Sequence, residues 1–396
     1  MKDKKKAEKY FNEGIKFFQN NNFKLAQEHF ENANNNFPNN KTILKNLALS
    51  FYHDNDFINA KKKLKEIINL EGEKKEAFSL LIKIFTDEEN FIELKKIIDL
   101  GLKEKQIDIK YKIVKELIYP TFYEDKNIIK KLRNNYEISL DRVEKLSENF
   151  TLDIEKQIID PPIFKLSYDE FDNLKINKKI VKIFRKIYPS LNKDIKIKKT
   201  QSKKFKIAFI SEYFTNHTIM KLFEGIITKI DKNNFEIFVI HSHKTEKSSH
   251  NSKIFEAEIN NKIKNIFLPK SFEQKVNIIK EIGLDILFYT DIHMSVEMYY
   301  LTYLKLAKIQ MTTWGHPETT GNDKIDFFLS SKLLEVEDAQ KHYTEKLLLS
   351  DDLPMYYFKP LLNDDLNKED LTRNNVYFCP QTLFKIHPSF DEIVKK

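Results

Sequence analysis

The sequence predicts an α + α/β protein: helical repeats at the amino end, then a parallel sheet covered by helices. Three observations carry this. The first hundred residues repeat one pattern of large and small side chains. From Phe205 to Ser330, short apolar runs alternate with stretches of helical period, as in a parallel sheet. Two of the chain's seven glycines, Gly315 and Gly321, fall in one turn after such a run. In a glycine-poor chain, such a pair marks backbone that approaches something closely or takes a positive φ.

The repeat has a period of about 34 residues. With Ala7 as its first position, Tyr10, Gly14, Phe17, Ala26, Phe30, Ala33 and Pro38 fall at the large, small, large, small, large, small and proline positions of a tetratricopeptide unit. A second unit from Lys41 places Leu44, Leu47, Ala48, Phe51, Ala60, Leu64 and Ile67 likewise, and a third, near Lys75, retains Ile82, Phe85, Leu94 and Ile98. Small residues at the eighth and twentieth positions let paired helices approach, and each pair buries a face against the next. A concave peptide-binding surface and a plain structural spacer are both open readings. Asp54-Asn55-Asp56 resembles a metal-binding pattern, but it lies between the two helices of the second unit, where Asn and Asp are ordinary turn residues.

Composition removes several functional classes. The net charge is +8, with 67 Lys and Arg against 59 Asp and Glu, but the lysines are spread along the chain. That is a solvated surface rather than a polyanion patch, so nucleic acid is not an expected partner. No apolar run reaches the roughly 18 residues of a membrane span, and no apolar segment follows the charged start to make a secretory signal. A single cysteine, Cys379, excludes an internal disulfide framework. A cytoplasmic protein is the expectation.

From Tyr111 to Lys198 the pattern stays helical, through Ile128-Ile129-Leu132-Tyr136-Leu140-Val143-Leu146 and Ile180-Ile183-Phe184-Ile187. Pro161-Pro162 interrupts it, Pro189 stops it, and the lysine-rich stretch from Lys193 to Lys204 reads as a boundary. Strands are then expected at Phe205–Ile210, Phe235–His241, Ile263–Leu268, Asp285–Thr290, Lys308–Thr313 and Ile325–Ser330. Helices are expected at Thr218–Ile230, Phe272–Ile282 and Val296–Leu306.

Three strand-end turns each carry a histidine: Ser211–His217, Asp291–His293 and Trp314–Gly321. In an open α/β sheet such turns share one edge, where ligands bind, and three converging histidines favour a site. There is no Gly-x-Gly-x-x-Gly, no phosphate loop with its lysine and no Gly-x-Ser-x-Gly elbow. His241 and His243 lack a third ligand at zinc spacing, so they read as a strand-end loop.

These segments, taken in order, resemble the O-linked N-acetylglucosamine transferases, the SPINDLY-type glycosyltransferases that bear tetratricopeptide repeats, and their bacterial branch most. The resemblance rests on Phe205-Lys-Ile-Ala-Phe-Ile-Ser-Glu-Tyr-Phe-Thr-Asn-His217, Asp285-Ile-Leu through His293, Ile309 to Gly321 with Ile325-Asp-Phe, and Tyr343-Thr-Glu-Lys-Leu347. It continues in Phe378-Cys-Pro-Gln-Thr-Leu-Phe-Lys385 and Pro388, and Tyr119-Pro-Thr-Phe-Tyr-Glu-Asp125 is similar to the family's helical linker. It implies a GT-B architecture of two facing Rossmann-like halves. It also implies inverting, metal-independent transfer of a sugar, N-acetylglucosamine, from a UDP-sugar or another nucleotide sugar to Ser or Thr of proteins, with no cofactor.

His217 matches the family's active-site histidine and is expected to act as base or proton path. Lys385 matches the lysine on the donor diphosphate, where a compact cation offsets developing charge. Asn216, His293, Trp314, Gly315, His316, Pro317, Thr319 and Gln381 are the expected substrate-binding residues. Glu318 departs from the pattern, because an acid beside a diphosphate is repelled unless it points away.

The resulting domains are repeats over 1–105, a helical linker over 106–200, the first Rossmann-like half over 201–360, and the beginning of the second over 361–396, with a strand and helix between Val376 and Lys396. Expected partners are a nucleotide sugar, an acceptor protein held by the repeats, and a separate carboxyl-terminal half, since the family continues where this sequence stops. The rival readings are a repeat-based binding module with a vestigial catalytic half, and a protein N-glucosyltransferase.

Overall fold

Three matching turns organise the amino-terminal helices. The computed structural model describes residues 3–199, 202–243, 263–359 and 378–395, in two units, Met1–Ile118 and Tyr119–Lys396. The first holds α1 (Lys4–Gln19), α2 (Phe23–Asn36), α3 (Lys41–His53), α4 (Phe57–Ile68), α5 (Lys75–Asp87), α6 (Phe91–Lys103) and the short α7 (Tyr111–Glu116). Between the members of each pair one residue takes positive φ: Asn21 at 57°, Asn55 at 62° and Glu89 at 52°. The next residue, Asn22, Asp56 or Asn90, caps the second helix by accepting an N–H from its first turn. Asp54, Asn55 and Asp56 are therefore all used by the fold. Asp54 accepts from Gln27 Nε2 of the preceding repeat at 3.2 Å.

Packing within each pair follows its small residues. A Cβ at Gly14 would stand 2.6 Å from the Phe30 ring, so α1 and α2 are as close as bare backbone allows. The second pair has Ala48 and Ala60, both fully buried. The third has Ile82 and Leu94 at these places, and its helices pack least closely. One apolar core, including Phe30, Leu47, Leu64, Phe78 and Ile98, runs through all three pairs. Among the described residues no helix is long and apolar enough to cross a membrane.

In the second unit, α8 (Lys126–Leu146), α9 (Ile163–Leu166) and α10 (Leu174–Ile187) precede seven parallel strands: β1 (Phe205–Ser211), β2 (Phe235–His241), β3 (Ile263–Phe267), β4 (Ile286–Tyr289), β5 (Ile309–Thr313), β6 (Phe327–Ser331) and β7 (Lys346–Ser350). Between them run α11 (Thr218–Lys229), α12 (Phe272–Ile282) and α13 (Val296–Leu301). The last five residues of both β1 and β2 are buried, as a sheet covered on both faces requires. The order is β3-β2-β1-β4-β5-β6-β7. Chain direction across the sheet therefore reverses between β1 and β4, and a crevice opens at their carboxyl ends. This is a Rossmann-like half, as the sequence predicts.

Three elements differ from expectation. β7 lies in a polar neighbourhood that hides its short Leu347-Leu348-Leu349 run, and it is an edge strand paired with β6 alone. The helix expected to reach Leu306 stops at Leu301, where the Thr302 hydroxyl donates to Tyr299 O at 2.6 Å and competes with the helical pattern. Residues 378–395 contain turns and the four-residue α14 (Asp391–Val394). The strand expected from Val376 is not formed among the described residues, while Val376 and Tyr377 themselves lie outside them. A strand needs a hydrogen-bonded neighbour, and the backbone here turns back on itself instead, with Lys385 N–H donating to Thr382 O.

Candidate active site

The two glycines of the Trp314–Gly321 turn serve close packing. A Cβ at Gly315 would lie 1.9 Å from Thr290 O and 3.0 Å from Ile219 Cδ1. Glycine here lets the turn press on the end of β4 and the start of α11. Gly321 has φ +67°, and a Cβ there would stand 2.4 Å from the backbone of Asn177 in α10. The turn is thus clamped between the sheet edge and the linker.

This clamp gathers the histidines. His217 is the N-cap of α11, and its Nδ1 accepts from Ile219 N–H at 3.2 Å. Its ring lies 4.7 Å from that of Tyr213, whose hydroxyl donates to Met294 O at 2.6 Å and ties the β1 loop to the β4 loop. Ser295 Oγ reinforces the tie by donating to Glu212. His293 and His316 share a hydrogen bond between their Nδ1 atoms at 3.0 Å. His316 Nε2 lies 3.0 Å from Ser167 Oγ of the linker. Trp314 is half-buried, and its buried Nε1 has no protein partner.

Lys385 completes the group from residues 378–395. Its Nζ stands 5.9 Å from the Phe164 ring, 5.8 Å from Tyr168 and 5.9 Å from Phe384. His387 and Glu170 pair at 3.2 Å, and Lys126 and Glu392 at 2.7 Å, which moors this segment to the linker.

Electrostatics keeps the imidazoles neutral. Burial pushes His217 below its ordinary pKa, and the Lys385 and Lys221 charges add to this. Burial drives His316 well below its usual value, helped by His293 and Lys385. His293 is pushed down to about 3 by burial. Asp291, fully inside at the end of β4, is raised to about 6, mainly by burial. A neutral His217 that accepts at Nδ1 carries its proton on Nε2.

The crevice thus brings together His217, His293, Gly315, His316 and Lys385, with Trp314 beside them. Asn216 and Pro317 are exposed. Gln381 is exposed, and its side-chain oxygen accepts from Thr382 N–H at 2.9 Å. Thr319 is buried, and its hydroxyl is held by later residues. Its hydroxyl donates to buried Glu345 at 2.7 Å and accepts from Thr344 N–H at 3.0 Å. Glu318 points to the linker and accepts from Asn173 at 3.2 Å, and burial raises its pKa to about 7. His241, by contrast, is a core group. Its Nε2 lies 2.9 Å from Asn265 Oδ1, its ring stacks on Phe267, and burial lowers its pKa to about 4.

Sequence reasoning missed Phe164, Ser167, Tyr168 and Tyr213. The visible signal was the aromatic pair Phe164 and Tyr168 at i, i+4 just after Pro161-Pro162, a stretch that reads as a break.

Comparison with known proteins bears on this geometry. The model of glycosyl transferase family 41 matches residues 170–358. Among solved structures, a mutant of the Thermobaculum terrenum O-GlcNAc transferase is similar at 13% identity and a TM-score of 0.44, over 90% of this chain and 59% of that one. The TPR2AB-domain:pHSP90 complex of yeast Sti1 is similar at 18% identity and a TM-score of 0.24, over 46% of this chain and 64% of that one. The chain thus spans about three-fifths of the length of these proteins. No curated protein sequence matches it. The sheet-bearing part of this chain, residues 170–358, is thus similar to glycosyl transferase family 41.

Proposed function

We propose that this chain carries the first half of an inverting protein O-glycosyltransferase that moves N-acetylglucosamine from UDP to Ser or Thr hydroxyls. One observation supports the reading above the others. At the switch point of a sheet similar to that of family 41, His217, His316 and Lys385 surround one crevice, and Lys385 is close enough to both imidazoles to disfavour their protonation.

The bond from the sugar's anomeric carbon to phosphate breaks, the bond to the acceptor oxygen forms, and negative charge grows on the departing diphosphate. Lys385 supplies the opposing charge, with a lysine rather than a metal ion in that role. His217 donates from Nε2 to a ligand oxygen and orients it. The acceptor hydroxyl gives its proton to a solvent water as the new bond forms.

Acceptor binding falls to the repeats, where a cavity of about 660 Å³ lies between α3 and α5, lined by Lys45, Leu80 and Lys83 among others. The single cysteine fits a reducing compartment such as the cytoplasm.

Calorimetry of the full chain with UDP tests the donor site. Lys385→Ala is expected to weaken binding at least about tenfold and His217→Ala by several-fold. Labelled sugar is expected to pass from UDP-N-acetylglucosamine to serine-containing acceptors, EDTA having no effect. Absence of any UDP binding would refute the reading.

A further inference from the structure

The linker turn between Pro162 and Asn173 reaches the candidate site on two sides. On one side, Ser167 Oγ lies 3.0 Å from His316 Nε2 and 3.2 Å from Ile163 O. A carbonyl can only accept, so both contacts are hydrogen bonds when the hydroxyl donates to Ile163 and His316 donates from Nε2. The neutral His316 is then bare at Nδ1 and accepts from Nδ1–H of His293 at 3.0 Å. His293 is left with an unprotonated Nε2, buried and without a protein partner. The reverse direction would lose the Ile163 bond and bury an unpaired N–H at His293, and orphaned donors are the rarer fault.

On the other side, Phe164 lies 5.2 Å from the His316 ring and 5.9 Å from Lys385 Nζ. With Tyr168 and Phe384 it forms a cluster of three rings on which the exposed ammonium rests. Rings hold a cation without neutralising it, so the charge stays available to an anion. The turn is itself anchored by buried Arg133, which donates to Asp169 at 2.9 Å and Asn173 at 2.7 Å.

We propose that Phe164, Ser167 and Tyr168 are positioning residues of this site: Ser167 sets the tautomers of His316 and His293, and the two rings hold the Lys385 ammonium where the anionic part of a ligand arrives. The second clause rests on the donor-site reading above.

Nitrogen-15 NMR of the histidine side chains in the full chain tests the first clause without a ligand. The expected spectrum has His316 protonated at Nε2 and His293 at Nδ1. Ser167→Ala should shift both toward mixed tautomers and leave His217 unchanged, and Ser167→Thr should restore them. Unchanged His316 and His293 signals in Ser167→Ala would overturn the clause.

Calorimetry with UDP tests the second clause. Phe164→Leu and Tyr168→Leu should each weaken binding about tenfold, with Tyr168→Phe close to the parent. Parent affinity in both leucine variants would overturn it. Should Phe164→Leu fail to fold, Tyr168→Leu decides alone, at a half-buried position. A parent chain that binds no UDP would defeat the donor-site reading and the second clause together, while the tautomer measurement still decides the first.

Discussion

In the repeat unit Asn22, Asp56 and Asn90 do one task three times; in the sheet unit Ser167, His293, His316 and Lys385 each do a different task once. Every device in the repeats lies close in sequence to its partners and recurs. Gly14 admits Phe30, Asn55 turns the chain, and Asp56 caps the next helix. The crevice instead draws on a linker turn, three strand ends and residues 378–395, far apart in sequence. Periodic structure is thus written redundantly and locally, whereas a site is written once and across long separations.

The comparison predicts separable damage. Phe30→Ala should cost the repeat unit about 3–5 kcal/mol, read as loss of helical circular dichroism. Trp314 is the chain's one tryptophan, so its fluorescence reports on the sheet unit and should be unmoved. Gly315→Ala should do the converse. The clash with Thr290 O is with backbone that cannot step aside, so about 3 kcal/mol should be lost from the transition seen by Trp314. Coincident shifts of both signals in either variant would break the comparison.

A smaller effect depends on pH. Burial raises the Glu318 pKa from 4.5 to about 7. The folded state holds this proton more tightly than the unfolded chain does. The group's contribution is therefore complete below about pH 4.5 and is lost as pH rises through 7. Glu318→Gln keeps an oxygen for Asn173 and removes the charge. It should stabilise the sheet unit by roughly 1–2 kcal/mol at pH 8 and change little at pH 5. An equal effect at both pH values would reject burial as the cause. The smallest effect sharpens the repeat side: Asn22→Ala, Asp56→Ala and Asn90→Ala should each cost about 1 kcal/mol. A spread of several-fold among them would mean that the three turns are less alike than their geometry.

Much of this was legible beforehand because it depends on local pattern. Large and small positions announced the repeat pairs. Apolar runs announced β1 to β6, and three strand-end histidines announced the crevice. β7 was not legible, since an edge strand of five residues carries too little pattern. The bond from Thr319 to Glu345 was not legible either, because Glu345 lies in a later turn. Ser167 was invisible because nothing local says that a proline-broken linker folds back on His316.

By itself the sequence determined the helical pairs, the parallel sheet and the edge where its histidines gather, since periodicity and strand direction are properties of short stretches. Tertiary structure alone decided which nitrogen of each histidine carries a proton, which way Glu318 points and what surrounds Lys385. Those outcomes depend on burial and on hydrogen-bond partners from distant segments, and both come into existence only when the chain has folded.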